Sequence, residues 1–222
     1  MTDVNTLCEK MKTRFAEQLI SASVAFDELT IQLPRQHLHD ICLILRDDPE
    51  FQFNMLLDVC GVDYLQYGHT EWETESTTAT GFERGVDRHL FDQRNPVNDP
   101  RFATVYHLLS LPLNHRVRLR VPLDEHELMV DSVCDIWMSA NWFEREAFDL
   151  FGITFNNHPD LRRILTDYGF VGHPFRKDFP LIGKVEARYD AAMKRVIYEP
   201  VSIQPRVLEP KVIRDDNRYT KG

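Results

Sequence analysis

The chain has 222 residues, 43% of them hydrophobic and 11% aromatic, enough to bury a core and to exclude wholesale disorder. Its formal charge is −9, which argues against non-specific nucleic-acid binding. No apolar run approaches the 18 or so residues a membrane helix needs, and the start, with Asp3 and Asn5, lacks a charged-then-apolar signal region.

In chain order, residues 4–20 carry Val4, Leu7, Cys8, Met11, Phe15 and Leu19 at the spacing of an amphipathic helix. Leu29, Ile31 and Leu33 alternate along a strand ended by Pro34, and Leu38, Ile41, Cys42 and Leu45 share one face of a helix over 35–46. Residues 53–59 read as a buried strand running into Gly61. Two more strands, 103–111 and 116–121, flank the turn at Pro112–His115, and a long helix over 131–151 ends at Gly152. This order predicts an α+β fold, helices packed on a largely antiparallel sheet, followed by an extended, irregular C-terminal arm.

The predicted division is an α+β domain over 1–152, with a variable insertion at about 70–101, and an arm over 153–222. Six of the twelve prolines lie after Gly152, and helical periodicity fades there. The arm's Phe, Leu, Ile and Tyr content argues for chain ordered against another protein rather than a plain linker, and residues from about 184 onward are expected to be poorly ordered without that partner. Charge divides similarly: residues 1–151 hold 13 basic against 26 acidic side chains, residues 152–222 hold 13 against 9.

Cys8, Cys42, Cys60 and Cys134 form no C-x-x-C pair, so neither a zinc ribbon nor an iron–sulfur cluster is expected, and the thiols read as small buried hydrophobes. On a wheel of the last helix, Val133, Ile136, Trp137, Ala140, Phe143, Ala147, Phe148, Leu150 and Phe151 share one face. Glu144 falls inside that face, while Arg145, Glu146 and Asp149 lie on the other side. A carboxylate on an apolar stripe needs a cation or a set of donors. The expectation is a buried Glu144 paired with Arg162 or Arg163.

His158, Asp160 and His173 with Glu144 or Asp149 would be the ligands of a mononuclear metal, but they flank Pro159 and Pro174 in irregular chain, where imidazoles more often cap backbone groups. Gly169-x-x-Gly172 beside Arg176-Lys177 lacks the strand and helix of a phosphate cradle. Arg162, Arg163, Arg176 and Lys177, with Phe170, Phe175 and Phe179, read better as protein–protein anchors.

The block 144–183 carries more. Glu144-Arg145-Glu146, Asp149-Leu150-Phe151, His158, Arg162 and Ile164-Leu165 fill the signature of the 30-kDa subunit family of respiratory complex I, the bacterial NADH-quinone oxidoreductase, and the chain resembles that family. Further matches are Leu57-Asp58, Gly61-Val62-Asp63, Val105-Tyr106-His107-Leu108, Ser132-Val133, Asn141-Trp142, His173-Pro174, Arg176-Lys177-Asp178-Phe179-Pro180, Arg188-Tyr189-Asp190 and Tyr198-Glu199-Pro200. The resemblance implies a hydrophilic subunit of the proton-translocating NADH:quinone oxidoreductase. It would sit peripherally on the cytoplasmic face of the inner membrane, beside the large 49-kDa-type subunit and the cluster-binding subunits. It implies no flavin, cluster, metal or quinone ligand on this chain, the complex's FMN and iron–sulfur clusters being held elsewhere. Glu144, Arg145, Glu146, Asp149, His158, Arg162, Arg163, His173, Arg176, Lys177 and Asp178 then have structural or interface roles. The alternatives are the equivalent subunit of a membrane-bound energy-converting hydrogenase and, in a different class, a stand-alone metal-dependent hydrolase built on His158 and Glu144.

Overall fold

A computed structural model describes residues 4–65, 67, 77–78, 81–82 and 100–203. In chain order the elements are α1 (Val4–Phe15), β1 (Ser21–Ala25), β2 (Glu28–Gln32), a 3-10 turn (Arg35–His37), α2 (Leu38–Asp47), β3 (Met55–Asp63), β4 (Thr77–Thr78) and β5 (Gly81–Phe82). They continue with β6 (Phe102–Ser110), β7 (His115–Leu123), β8 (Met129–Asp131), α3 (Ala140–Phe151), β9 (Thr154–Asn156), β10 (Val185–Asp190) and β11 (Arg195–Pro200). The chain divides into two compact units, Met1–Leu65 with Asn98–Phe179, and Gln66–Val97 with Pro180–Gly222.

The first unit is built on a five-stranded sheet ordered β1-β2-β7-β6-β3, antiparallel except for the β2–β7 pair. β7 alternates buried and more exposed positions along its whole length, with Val117, Leu119, Val121 and Leu123 inward. Leu7, Cys8, Met11 and Phe15 of α1 and Leu38, Ile41, Cys42 and Leu45 of α2 join the same core, as their spacing predicts. Strand β1 has no counterpart among the expected elements. Ser-Ala-Ser-Val-Ala carries little apolar signal, and its two-residue turn to β2 is Phe26–Asp27, both at positive φ (53° and 59°), where Asn-Gly is the usual signal.

Two expected helices are shorter than their periodicity. α1 ends at Phe15, not residue 20, because residues 21–25 are drawn into the sheet. α3 begins at Ala140, not 131: Met129–Asp131 pairs in parallel with Thr154–Asn156, and residues 132–139 form tight turns between strand and helix. β3 runs on through Gly61 to Asp63, and a Cβ on Gly61 would lie 2.6 Å from the Phe151 ring. Glycine there lets the end of α3 close on the strand.

Residues 153–179 belong to the first compact unit, whose boundary falls after Phe179. Residues 157–184 contain neither helix nor strand, as an irregular arm predicts. In the second unit, β10 and β11 form an antiparallel hairpin tied by Arg188 to Glu199 (2.8 Å). The little regular structure expected of the chain after Gly152 is therefore corrected for residues 185–200. The same unit holds the short β4–β5 pair. Most of the expected insertion at 70–101, and the tail from 204, lie outside the described residues.

Candidate functional site

Glu144 is fully buried, as its place on the wheel predicts, but among the described residues no arginine pairs with it. Its Oε2 accepts the Ser132 hydroxyl (2.6 Å) and the Cys134 thiol (3.3 Å), and its Oε1 accepts the Val133 N–H (2.8 Å). The turn between β8 and α3 thus supplies the donor set that the apolar stripe demands. Burial raises the carboxyl above its ordinary range, and the three donors oppose that shift. The pairing with Arg162 or Arg163 is wrong because both arginines are engaged elsewhere. Arg162 meets Asp160 at the surface (2.9 Å), and Arg163 serves a different carboxylate.

That carboxylate is Asp149, placed on the polar side by helical periodicity and in fact fully buried. Its Oδ2 accepts the N–H groups of Ile164 (3.1 Å), Leu165 (2.8 Å) and Thr166 (2.8 Å). Its Oδ1 accepts Arg163 Nη1 (3.0 Å) and the Thr166 hydroxyl. Burial pushes this carboxyl up, but the Thr166 hydroxyl and the three amides outweigh it and hold the group down at about 2. Asp149 is the peg on which the chain after β9 is hung.

The same strap caps α3. The last turn of a helix leaves its carbonyls without intrahelical partners. Here Gly152, at φ 76°, donates its N–H to the Phe148 carbonyl (2.9 Å). His173 Nδ1 donates to the Asp149 carbonyl (2.9 Å), the Phe175 N–H to Leu150 (3.1 Å) and Arg176 Nε to Phe151 (2.7 Å). Arg145, lying over the Trp142 ring, reaches back to the carbonyls of Arg162 (3.1 Å) and Arg163 (3.3 Å).

A third carboxylate fixes the strap's far end. Arg101 forks onto both oxygens of Asp63 (2.9 and 2.8 Å) and also meets Glu125 (2.8 Å) and Asp178 (3.0 Å). The Lys177 N–H adds a bond to Asp63 Oδ2 (2.8 Å). The Lys177 side chain and Glu146 are exposed. Sequence reasoning missed Arg101, assigned to the insertion, along with Cys134 and Thr166. Only the position of Arg101 immediately before the strand at 102 pointed to it.

The metal ligand set weighed from the sequence does not assemble as a whole: His173 and Asp149 are engaged in the contacts above, and Asp160 pairs with Arg162 at the surface. Two of its members, Glu144 and His158, do come together, with Nε2 4.0 Å from Oε2, and with Cys134 they bring ligand atoms within 4.8 Å of one another. This trio fits a metal poorly. His158 Nδ1 accepts the Asp160 N–H (3.0 Å), so the ring proton sits on Nε2, toward the Asn141 carbonyl (3.2 Å). No ring lone pair is left to bind an ion. Burial pushes the Cys134 thiol up to about 12, which fits its role as a donor to Glu144 (3.3 Å). Its contacts make His158 a turn-capping imidazole, and the hydrolase reading loses its site.

Residues 31–185 match the model of the family described as respiratory-chain NADH dehydrogenase, 30 Kd subunit. The chain belongs to that family. Among full-length relatives, an NADH-quinone oxidoreductase subunit of Coxiella burnetii is 60% identical over 222 residues, covering 100% of this chain and 98% of the relative. The Legionella pneumophila (strain Corby) protein of the same name is 56% identical, covering 99% and 96%. Among solved structures, a trypsin-resistant fragment of Nqo5 aligns with a TM-score of 0.51 at 28% identity, over 72% of this chain and all of the fragment. A chain of the membrane-bound sulfane sulfur reductase, an archaeal respiratory membrane complex, gives 0.53 at 20% identity over 80% of this chain and 86% of that one, a likeness of fold alone. Nothing in these matches favours the hydrogenase alternative.

Proposed function

We propose that this chain is a cofactor-free structural subunit in the peripheral arm of proton-translocating NADH:quinone oxidoreductase, where it scaffolds the quinone-reducing module beside the large 49-kDa-type subunit. Membership of the 30-kDa family makes it part of that translocase complex, and the rest follows from the site. The observation that carries the reading is that both buried carboxylates of the signature are committed to donors of their own chain, Asp149 to five and Glu144 to three. A general base or a metal ligand needs a lone pair facing substrate or ion. Asp149 holds the strap in place instead, and Glu144 ties the turn before α3 to the helix.

Arg145, His158, Arg163, His173, Arg176 and Asp178 serve the same end, which leaves the outer surface of residues 158–179 to meet neighbours. No helix among the described residues is long and apolar enough to cross a membrane; in this reading the chain attaches peripherally, through other subunits, on the cytoplasmic side. The flavin and the clusters then belong to those subunits.

Affinity purification of the tagged full-length chain from its native host tests the reading. The complex, with its 49-kDa-type subunit foremost, is expected to co-purify, and the free chain is expected to show no visible absorption and no bound iron. A chain that purifies alone under mild conditions, or one that carries stoichiometric iron or flavin, refutes it.

A further inference from the structure

We infer that the closed loop Arg163–Gly172 is a preformed apolar knob that docks into an apolar surface of a neighbouring protein in the complex, a contact separate from any made by the arm beyond residue 184. The inference rests on the structural role proposed above. Leu165, Tyr168, Val171 and the adjoining Phe175 are 64%, 88%, 80% and 56% exposed. Large apolar side chains gathered on one short, ordered segment are unusual on a protein that meets only water.

The loop is not floppy chain with incidental exposure. One guanidinium closes it: Arg163 bonds the Thr166 hydroxyl (2.8 Å) and the Gly172 carbonyl (3.3 and 3.4 Å) at the loop's two ends. Asp149 holds three successive amides at its start. The Phe170 N–H bonds the Asp167 carbonyl (2.9 Å), and the Phe170 ring turns inward beside Phe179 (5.8 Å) and Arg163 (6.0 Å). Gly172, at φ 105°, leaves room for the Phe179 ring, which a Cβ would meet at 2.8 Å. Polar groups and one aromatic ring fill the inside, so the apolar side chains point out from a shape already fixed. Little ordering entropy remains to be lost on binding.

Charge selects the occupant. A knob meant for a bilayer surface carries Lys or Arg among its apolar side chains to meet anionic headgroups. Here the one arginine of the loop is turned inward onto Asp149, and the charged residue at the tip is Asp167. The exposed cations beside the loop are Arg162, paired with Asp160, and Lys177, so no cation stands among the apolar side chains of the loop and association through the knob depends chiefly on apolar burial.

Hydroxyl-radical labelling compares these side chains in the free full-length chain and in the native complex. Labelling of Leu165, Tyr168 and Phe175 is expected to fall severalfold on assembly, and unchanged labelling overturns the docking site. Tyr168→Ser combined with Val171→Ser removes two exposed side chains, so the thermal midpoint should hold. Complex recovered on the tagged variant should drop about tenfold or more, as for loss of interface anchors. Undiminished recovery overturns the inference, as does loop-dependent binding of the free chain to vesicles of mixed neutral and anionic lipid. Wild-type chain that recovers no complex at all would instead refute the functional reading. A complex recovered with its loop still fully labelled refutes the knob alone.

Discussion

Replacing Asp149 by Asn keeps the shape of the side chain and removes its charge. The amide offers one oxygen to donors that now use two, and its NH₂ must face either Arg163 or the N–H groups of Ile164–Thr166. Removing one partner of a buried ionic contact typically costs about 3–5 kcal/mol, and that loss is expected at neutral pH. Acid provides a sharper check. The carboxyl ordinarily titrates at 3.8 and is held here at about 2. At ~1.36 kcal/mol per pH unit that difference is worth about 2.5 kcal/mol. A lowered carboxyl contributes stability that is complete above 3.8 and disappears as pH falls through about 2. Urea unfolding of wild type and Asp149→Asn, followed from about pH 6 down to about pH 2, should show their gap shrinking by about 2 kcal/mol, most of that amount, across the acid window. A gap independent of pH, or a variant within ~0.5 kcal/mol of wild type at neutral pH, refutes the assignment of Asp149 as the peg of the strap.

Three further sites test the other anchors. Glu144→Ala leaves a cavity and orphans the Ser132 and Val133 donors, so urea unfolding should show a loss of about 2–5 kcal/mol. Glu144→Gln should stay within about 1 kcal/mol at neutral pH, because burial already disfavours the charged form of this carboxyl. Gly152→Ala combines a positive φ with a Cβ only 2.6 Å from His173 Nε2 and 2.7 Å from Arg176 Nη2, so the thermal midpoint should fall by the equivalent of about 1–3 kcal/mol. Arg101→Lys keeps the charge but not the fork onto Asp63, and denaturant unfolding should register about 1–3 kcal/mol.

The legible parts of the fold are those with local periodicity. β2, α2, β6, β7 and the glycine-capped end of α3 appear near their expected places because alternation or three-and-four spacing marks them. β8 and β9 escape because a three-residue parallel pair between distant segments leaves no periodic trace. Glu144 is legible as a buried carboxylate because one wheel position betrays burial, whereas its donors are a backbone amide, a hydroxyl and a thiol in a turn that the same periodicity draws as helix. Asp149 shows the converse: helical spacing places it on a polar face, and only the strap folding back over that face buries it. The strap's path is set by contacts such as Lys177 to Asp63 and Arg176 to Phe151, which no local pattern encodes.

NADH:quinone turnover measured per assembled complex, in membranes carrying Glu144→Gln, tests most directly whether the signature holds structure or performs chemistry. A structural Glu144 predicts turnover per complex equal to wild type, with any deficit confined to the amount assembled. Wild-type amounts of assembled complex with turnover abolished would contradict the account and make Glu144 a proton-transferring group.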